Sequence, residues 1–466
     1  MELFEQGLVR IVDGLGRAEV SPIEVVRHFL ARIEAAADLG AFVEVTAERA
    51  LAQATGLGDL PADAPPLWGV PLADKDLVAR AGVPTRYGSR ANADFVPTES
   101  DPLALALDRL GSVSLGKTNT PEFGLTGYTE SAVAPAARNP WEPGTGAGGS
   151  SGGAAVAVAA GLLPAAPASD GGGSIRIPAA TVGVVGLKPS RGRLPFANGL
   201  ESPGGLSTAG PIARSVEDAA HLLDALVGSA PHHYATRAPG DEAFTAALRR
   251  DPGRLRIGAT LVTPWDGWTD TTLDPRARAA YERAAAILGS AGHALDEADW
   301  RPEGYPEMFA TLWRASAARI PVADRDLDRV ESLTAWLARE GRALSAERVI
   351  GAYQAAAAFE RRTIAAFAPF DAVLTPALAL SPQAVGWFSS ADPEENFARQ
   401  CSYAPHTSFV NVAGLPAITV PITSEAGERP WSVQLVGRPG GEAAILQLAA
   451  QLEDARGDLP WPAPRH

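Results

Sequence analysis

The stretch GTGAGGSSGGAAVAVAAGLLPAAPASDGGGSIR, from Gly144 to Arg176, decides how the chain is read. It holds two glycine and serine clusters joined by a small-residue run too apolar to be a linker. Glycine tolerates backbone angles that other residues avoid, so each cluster can bend sharply and bring a serine close to a ligand. Ser150 and Ser174 are 24 positions apart (174 − 150), enough for an intervening helix and strand to return the second turn to the first. The reading is one site with two serines.

Working outward, Leu67 to Leu72 (LWGVPL) reads as a short buried strand running into Ala73-Asp74-Lys75-Asp76-Leu77. A lysine between two aspartates after an apolar strand is unusual, and its plain alternative is a solvated turn. Gly111 to Thr118 (GSVSLGKT) fits the phosphate-loop pattern, which needs a preceding strand, a loop and a following helix. Here Pro102 to Leu110 reads as a helix, Ser112 to Leu115 alternates like a strand, and Asn119-Thr120-Pro121 interrupts the place where the helix would start, so no nucleotide site is expected. Downstream, Gly186 to Leu194 is turn-rich and Gly199 to Pro211 reads as a glycine and proline loop.

Further out, Pro22 follows a capping Ser21, and Val25, Val26, Phe29, Leu30 and Ile33 recur at helical spacing. Residues 228–252 have the least pattern, Arg254 to Leu261 alternates as a strand, and Asp274 to Ser290 is helical. Residues 303–369 are mostly helical, with Trp313, Trp336 and Tyr353 expected in the core or a pocket wall. Strand character returns at Asp371 to Pro376, Phe409 to Pro421 and Trp431 to Gly437, before a closing helix from Glu442 to Glu453. This alternation predicts one α/β domain over residues 1–466, with a central sheet and a mainly helical insertion at about 228–370.

Composition bounds the function. Of 466 residues, 40 are basic and 54 acidic, and the net charge of −14 disfavours binding to a phosphate backbone. The single cysteine, Cys401, excludes an intramolecular disulfide and suits a reducing compartment. The first residues lack the basic-then-apolar order of a signal peptide, and no uncharged apolar stretch approaches the ~20 residues of a membrane span. A cytoplasmic location is expected.

A serine on a glycine turn needs a base, and the backbone N–H groups of Gly171, Gly172, Gly173 and Ser174 could hold a developing oxyanion. None of the seven histidines lies in a glycine turn, so a histidine-based triad is not supported. Lysine can serve when burial favours its neutral form, and Lys75 is the lysine in an unusual place.

These pieces resemble the amidase signature family of serine hydrolases. The matching segments are GVPLADKDL at 69–77, LGKTNTPEFG at 115–124, RNPW at 138–141, GGSSGG at 148–153, SDGGGSIRIPAA at 169–180, GLKPSRGR at 186–193 and GPIARSVEDAA at 210–220. Matches continue in the tail, among them Asn411, Gly414, Pro416, Gln434 and Glu442. The resemblance implies an α/β fold with a central mixed sheet covered by helices on both faces, and it makes Lys75 the general base, Ser150 a relay after a cis peptide bond, and Ser174 the nucleophile. It makes Ser151, Asp170 and Arg176 loop supports, with Asp74 and Asp76 orienting loops. Ala147 stands where a proline is common and Ser169 where a threonine is common; neither is one of the three catalytic groups.

The implied function is hydrolysis of a carboxamide through an acyl-enzyme, with no cofactor and no metal. The expected partner is a small-molecule amide; no nucleic acid or membrane is expected, and a homodimer is allowed. An alternative is the amidase subunit of a glutamine-dependent tRNA amidotransferase, and a third reading is a binding protein that has lost catalysis. The family spans many amides, with a weak preference here for the aminohexanoate cyclic-dimer type. Pocket walls are expected from Phe123 to Thr129, the helical middle and the segment near Trp387 to Tyr403, with Cys401 in the core.

Overall fold

In the computed structural model, which describes residues 2–194, 203–229, 243–423, 429–460 and 462, the run between the two serine turns folds as a helix and a strand. The helix Gly152–Ala159 is buried at every position. Its small side chains let it pass close to its neighbours: a Cβ on Gly152 would collide with Thr129 Oγ1, and one on Gly153 with the backbone N of Asn119. Gly161, at φ 66°, turns the chain beyond it, and the strand β4 (Ala165–Asp170) leads into the second cluster.

Strand β4 lies at one edge of a sheet whose order continues β6 (Thr208–Ala213), β5 (Val185–Lys188), β10 (Ala417–Thr423), β11 (Trp431–Gly437), β9 (Ala372–Pro376), β7 (Arg256–Ala259) and β8 (Ala294–Glu297). Pairing is antiparallel from β4 to β9 and parallel among β9, β7 and β8, so the sheet is mixed. A second sheet has the order β1 (Phe42–Val45), β3 (Val113–Thr118), β2 (Pro71–Lys75).

Side chains alternate across a strand, and the central strands therefore feed two cores. Ala372, Leu374, Ile418, Val420, Val433 and Leu435 join the core formed with the helices Val216–Gly228, Pro275–Ser290 and Glu442–Arg456. Val373, Ala417 and Val436 face the other way, into a core rich in aromatic side chains that includes Trp265, Trp300, Tyr305, Phe309, Phe359 and Phe409. By the same alternation Thr375 and Gln434 project toward this aromatic side, where the serine turns gather.

The structure corrects several expectations. The strand expected at 67–72 begins at Pro71 and runs through Lys75, so that lysine ends a fully buried strand rather than sitting in a turn. Overlapping the segments read as turns, Val185–Lys188 and Thr208–Ala213 are strands β5 and β6. Their glycines mark close packing: a Cβ on Gly186 would stand 2.6 Å from Ala179 Cβ, and one on Gly210 would collide with Leu187 O. The expected loop's residues 199–202 and the patternless 230–242 lie outside the described residues. The stretch at about 228–370 carries the helices Pro275–Ser290, Tyr305–Ala317, Ser332–Arg342 and Ala346–Phe367, and it also supplies β7 and β8 to the large sheet. Tyr353, expected in the core or a pocket wall, is exposed, and its hydroxyl accepts from Gly204 N at 2.9 Å. Helical periodicity cannot distinguish the inner from the outer face at a single position.

Candidate active site

Lys75 reaches the site from the end of β2 and is 2% exposed. Its Nζ donates to Ser150 Oγ at 2.7 Å, to Ser169 Oγ at 3.2 Å and to Ser169 O at 3.5 Å. Burial lowers its pKa from 10.5 to about 7, the nearby Asp170 charge opposing the shift. All three partners are neutral oxygens.

Ser150 sits on the first glycine turn, after a cis Gly149–Ser150 peptide bond. Thr129 clamps this turn from both sides: its Oγ1 donates to Gly148 O at 2.8 Å and accepts from Gly152 N at 3.2 Å. The two serine turns meet through Ser151, whose N donates to Ser174 O at 3.1 Å and whose Oγ donates to Ser169 O at 3.3 Å. The chain thus brings Lys75, Ser150, Ser151 and Ser174 into one cluster.

Asp170 ends β4 beneath the second turn. Its carboxylate accepts from Gly173 N at 2.7 Å, Ile175 N at 3.1 Å, and Arg176 Nε and Nη2, each at 2.9 Å. Burial alone would raise its pKa, but the Arg176 guanidinium and these donors hold it well below the usual carboxylate range. Arg176 also donates from Nη1 to Thr407 O and Gln434 Oε1, and from Nη2 to Asn411 Oδ1. Asn411 Nδ2 closes the network on Asp170 O and Oδ1, at 2.8 and 2.9 Å. Because Gly173 N–H is committed to Asp170, it is withdrawn from the expected oxyanion set. Among the described residues the N–H groups of Gly171, Gly172 and Ser174 meet no acceptor.

Beyond these turns lies a narrow cavity, about 60 Å³, whose lining includes Gly172, Ser174, Trp265, Phe309, Trp313 and Phe397. The expected wall at 123–129 contributes Leu125, Thr126 and Gly127, and the segment near Trp387 to Tyr403 contributes Gln400 and Tyr403. Gln400 Oε1 accepts from Gly127 N at 2.7 Å and so joins these two walls. Cys401, expected in the core, lines this cavity while remaining buried; burial pushes its thiol pKa well up. Its place on a helix facing both core and cavity gives no local sequence signal.

Sequence reasoning assigned no role to Asn411, Gln434 or Thr407. Gln434 carried a signal nonetheless, as a lone amide in the apolar strand Trp431–Gly437, fully buried and so in need of partners. It finds them in Arg176, Thr375 Oγ1 and His406 O. Among the described residues no group of histidine, cysteine and carboxylate side chains is arranged to hold a metal ion, and no helix is long and apolar enough to cross a membrane.

The family model for amidases matches residues 24–446. The chain is 39% identical over 403 residues to the amidase-family protein AmiB2 of Mycobacterium tuberculosis, covering 85% of this chain and 83% of that one. It is 35% identical over 472 residues to a subunit of the glutamyl-tRNA(Gln) amidotransferase of Synechococcus, covering 95% of each. Among solved structures, 6-aminohexanoate cyclic dimer hydrolase superposes with a TM-score of 0.88 at 29% identity, over 100% of this chain and 99% of that one. A peptide amidase from Stenotrophomonas maltophilia gives 0.79 at 27% identity, over 98% of both chains. The chain belongs to the amidase signature family, and it is a hydrolase acting on amide bonds.

Proposed function

We propose that the chain hydrolyses small-molecule carboxamides through an acyl-enzyme on Ser174, with Lys75 as base and Ser150 as proton relay. The observation that carries this is the 2.7 Å contact of Lys75 Nζ with Ser150 Oγ, made by a lysine whose pKa burial has brought to about 7. In its neutral form Lys75 takes the proton of Ser150 as Ser150 takes that of Ser174, whose oxygen attacks the amide carbon. The N–H groups of Gly171, Gly172 and Ser174 receive the developing oxyanion. The relay then runs backward to protonate the departing nitrogen as the carbon–nitrogen bond breaks. Water, deprotonated by the same route, releases the carboxylate and restores Ser174. Asp170 and Arg176 hold the second turn in shape and exchange no proton.

With an amide that is turned over, intact-mass and peptide analysis of quenched enzyme should find the acyl group on Ser174, and Ser174→Ala should abolish turnover. Full turnover of the amides by the Ser174→Ala protein would end the proposal. A second reading, the amidase subunit of a glutamine-dependent tRNA amidotransferase, draws on the 35% identity to such a protein. Co-purification with a second subunit would favour it.

A further inference from the structure

The cavity beside Ser174 is lined, among the described residues, by uncharged side chains. Among the described residues that line it there is no aspartate, glutamate, lysine, arginine or histidine. Its polar side-chain groups are hydroxyls, a thiol, two indole N–H groups and the Gln400 amide, and the amide already receives Gly127 N–H at 2.7 Å while its Nε2 donates to Asn396 Oδ1 at 2.6 Å. The remaining wall is apolar, with Leu125, Ile177 and Ala404 beside the aromatic rings. Phe309 and Trp313 stack with ring centroids 5.5 Å apart and planes 15° from parallel, and Trp265 meets Phe309 edge-on at 5.7 Å. Trp313 Nε1 donates to Leu125 O at 3.2 Å, which fixes the orientation of its ring.

This wall stands against the glycines of the second turn. A Cβ on Gly172 would lie 3.4 Å from Phe309 Cζ, and one on Gly171 would lie 3.7 Å from two ring carbons of Trp313. A carbonyl whose oxygen meets the N–H groups of these glycines therefore carries its substituent along the two rings. The departing amine needs a way out, whereas the acyl group remains bonded to Ser174 until water arrives, so the aromatic wall beside the glycines suits the acyl half.

We infer that the enzyme acts on amides whose acyl half is uncharged, apolar and either short or flat, with Phe309 and Trp313 setting that preference; the inference rests on Ser174 being the nucleophile. A carboxylate or a free amino acid brought into this cavity would surrender hydration and find no opposite charge among the described lining residues. L-Glutamine carries two such charges, so the same wall disfavours glutamine as an amide donor.

Three measurements test this. First, labelling of Ser174 by a fluorophosphonate tests the nucleophile alone, and no label there removes the catalytic reading beneath the inference. Second, kcat/KM for benzamide should exceed that for succinamate and for L-glutamine at least 100-fold; either charged amide within tenfold of benzamide overturns the preference. In Trp313→Ala, and in Trp313→Leu should the alanine variant fold poorly, the benzamide-to-acetamide ratio of kcat/KM should fall about tenfold, the scale of one lost apolar contact surface. An unchanged ratio overturns the role of Trp313. Third, benzamide should perturb the fluorescence of the cavity tryptophans Trp265 and Trp313 in the Ser174→Ala protein, where glutamine at equal concentration does not. This binding readout is independent of turnover, and the reverse order overturns the inference even if Ser174 is labelled.

Discussion

Lys75 and Lys117 leave neighbouring strands of the same small sheet, where Lys75 pairs with Thr118 and Lys117 with Asp74, so alternation sends them to opposite faces. Both are buried, and burial lowers the pKa of each. Their surroundings differ in one respect. Lys117 has a carboxylate, Asp76 Oδ1 at 3.7 Å, with Val78 O and Thr85 Oγ1 as further acceptors. Lys75 touches only hydroxyl and carbonyl oxygens. A buried ammonium beside a carboxylate is half of an ion pair that holds two strands and a loop together. Set among neutral oxygens, with the Asp170 charge near but not in contact, it has weaker support and can surrender its proton near neutrality, as a base must.

Removing each lysine in turn is the strongest way to break this contrast. Lys75→Met should lower kcat by about 10⁴-fold, the upper range for a positioned general base, while the protein stays folded. Lys117→Met should instead lower stability by about 3–5 kcal/mol, because Asp76 is left buried without its partner. A urea titration reads this loss, and kcat per folded molecule should change less than threefold. If Lys117→Met were to destroy activity in fully folded protein, or Lys75→Met to unfold the chain, the two roles would have to be exchanged.

The smallest effect is on pH. With Lys75 near 7, kcat/KM should climb about tenfold per unit below that value and level off above it. Stability follows with a defined sign. The folded pKa of Lys75 lies below its unfolded value of 10.5, so between about 7 and 10.5 the unfolded chain binds more protons and stability rises with pH. That contribution is lost as pH falls through 7. The Tm of Lys75→Met relative to the parent should therefore be higher at pH 6 than at pH 10, and a constant difference would mean that Lys75 is not desolvated.

Both lysines were conspicuous in the sequence, one between two aspartates and one inside a false phosphate loop, yet their difference was not written there. Lys75, Ser150 and Ser174 could be chosen because glycine turns and ordered motifs are local patterns. The central sheet followed from the alternation of strands and helices, and its mixed pairing from the family resemblance. Strands β5 and β6 escaped because Gly186, Gly210 and Pro211 signal turns locally, while packing of backbone on backbone overrides that preference. Asn411 and Gln434 had matching positions but no role, since their partner Arg176 lies 235 and 258 residues away. Trp313 was legible as a helical aromatic, but its closeness to Gly171, and that of Phe309 to Gly172, is a tertiary fact. Gly173 was misjudged for a related reason, since only the fold shows its N–H turned to Asp170.

The Arg176 network has a bearing on how the protein is made. Every donor of that guanidinium is spent, and three of its bonds go to Thr407, Asn411 and Gln434, residues the ribosome adds more than two hundred positions later. A nascent chain that has already exposed Lys75, Ser150 and Ser174 still holds Arg176 with most of its acceptors missing, so the second serine turn cannot be held in shape. Hydrolytic competence should thus appear late and abruptly in synthesis, and fragments ending before β11 should be inert even though all three proposed catalytic side chains are present.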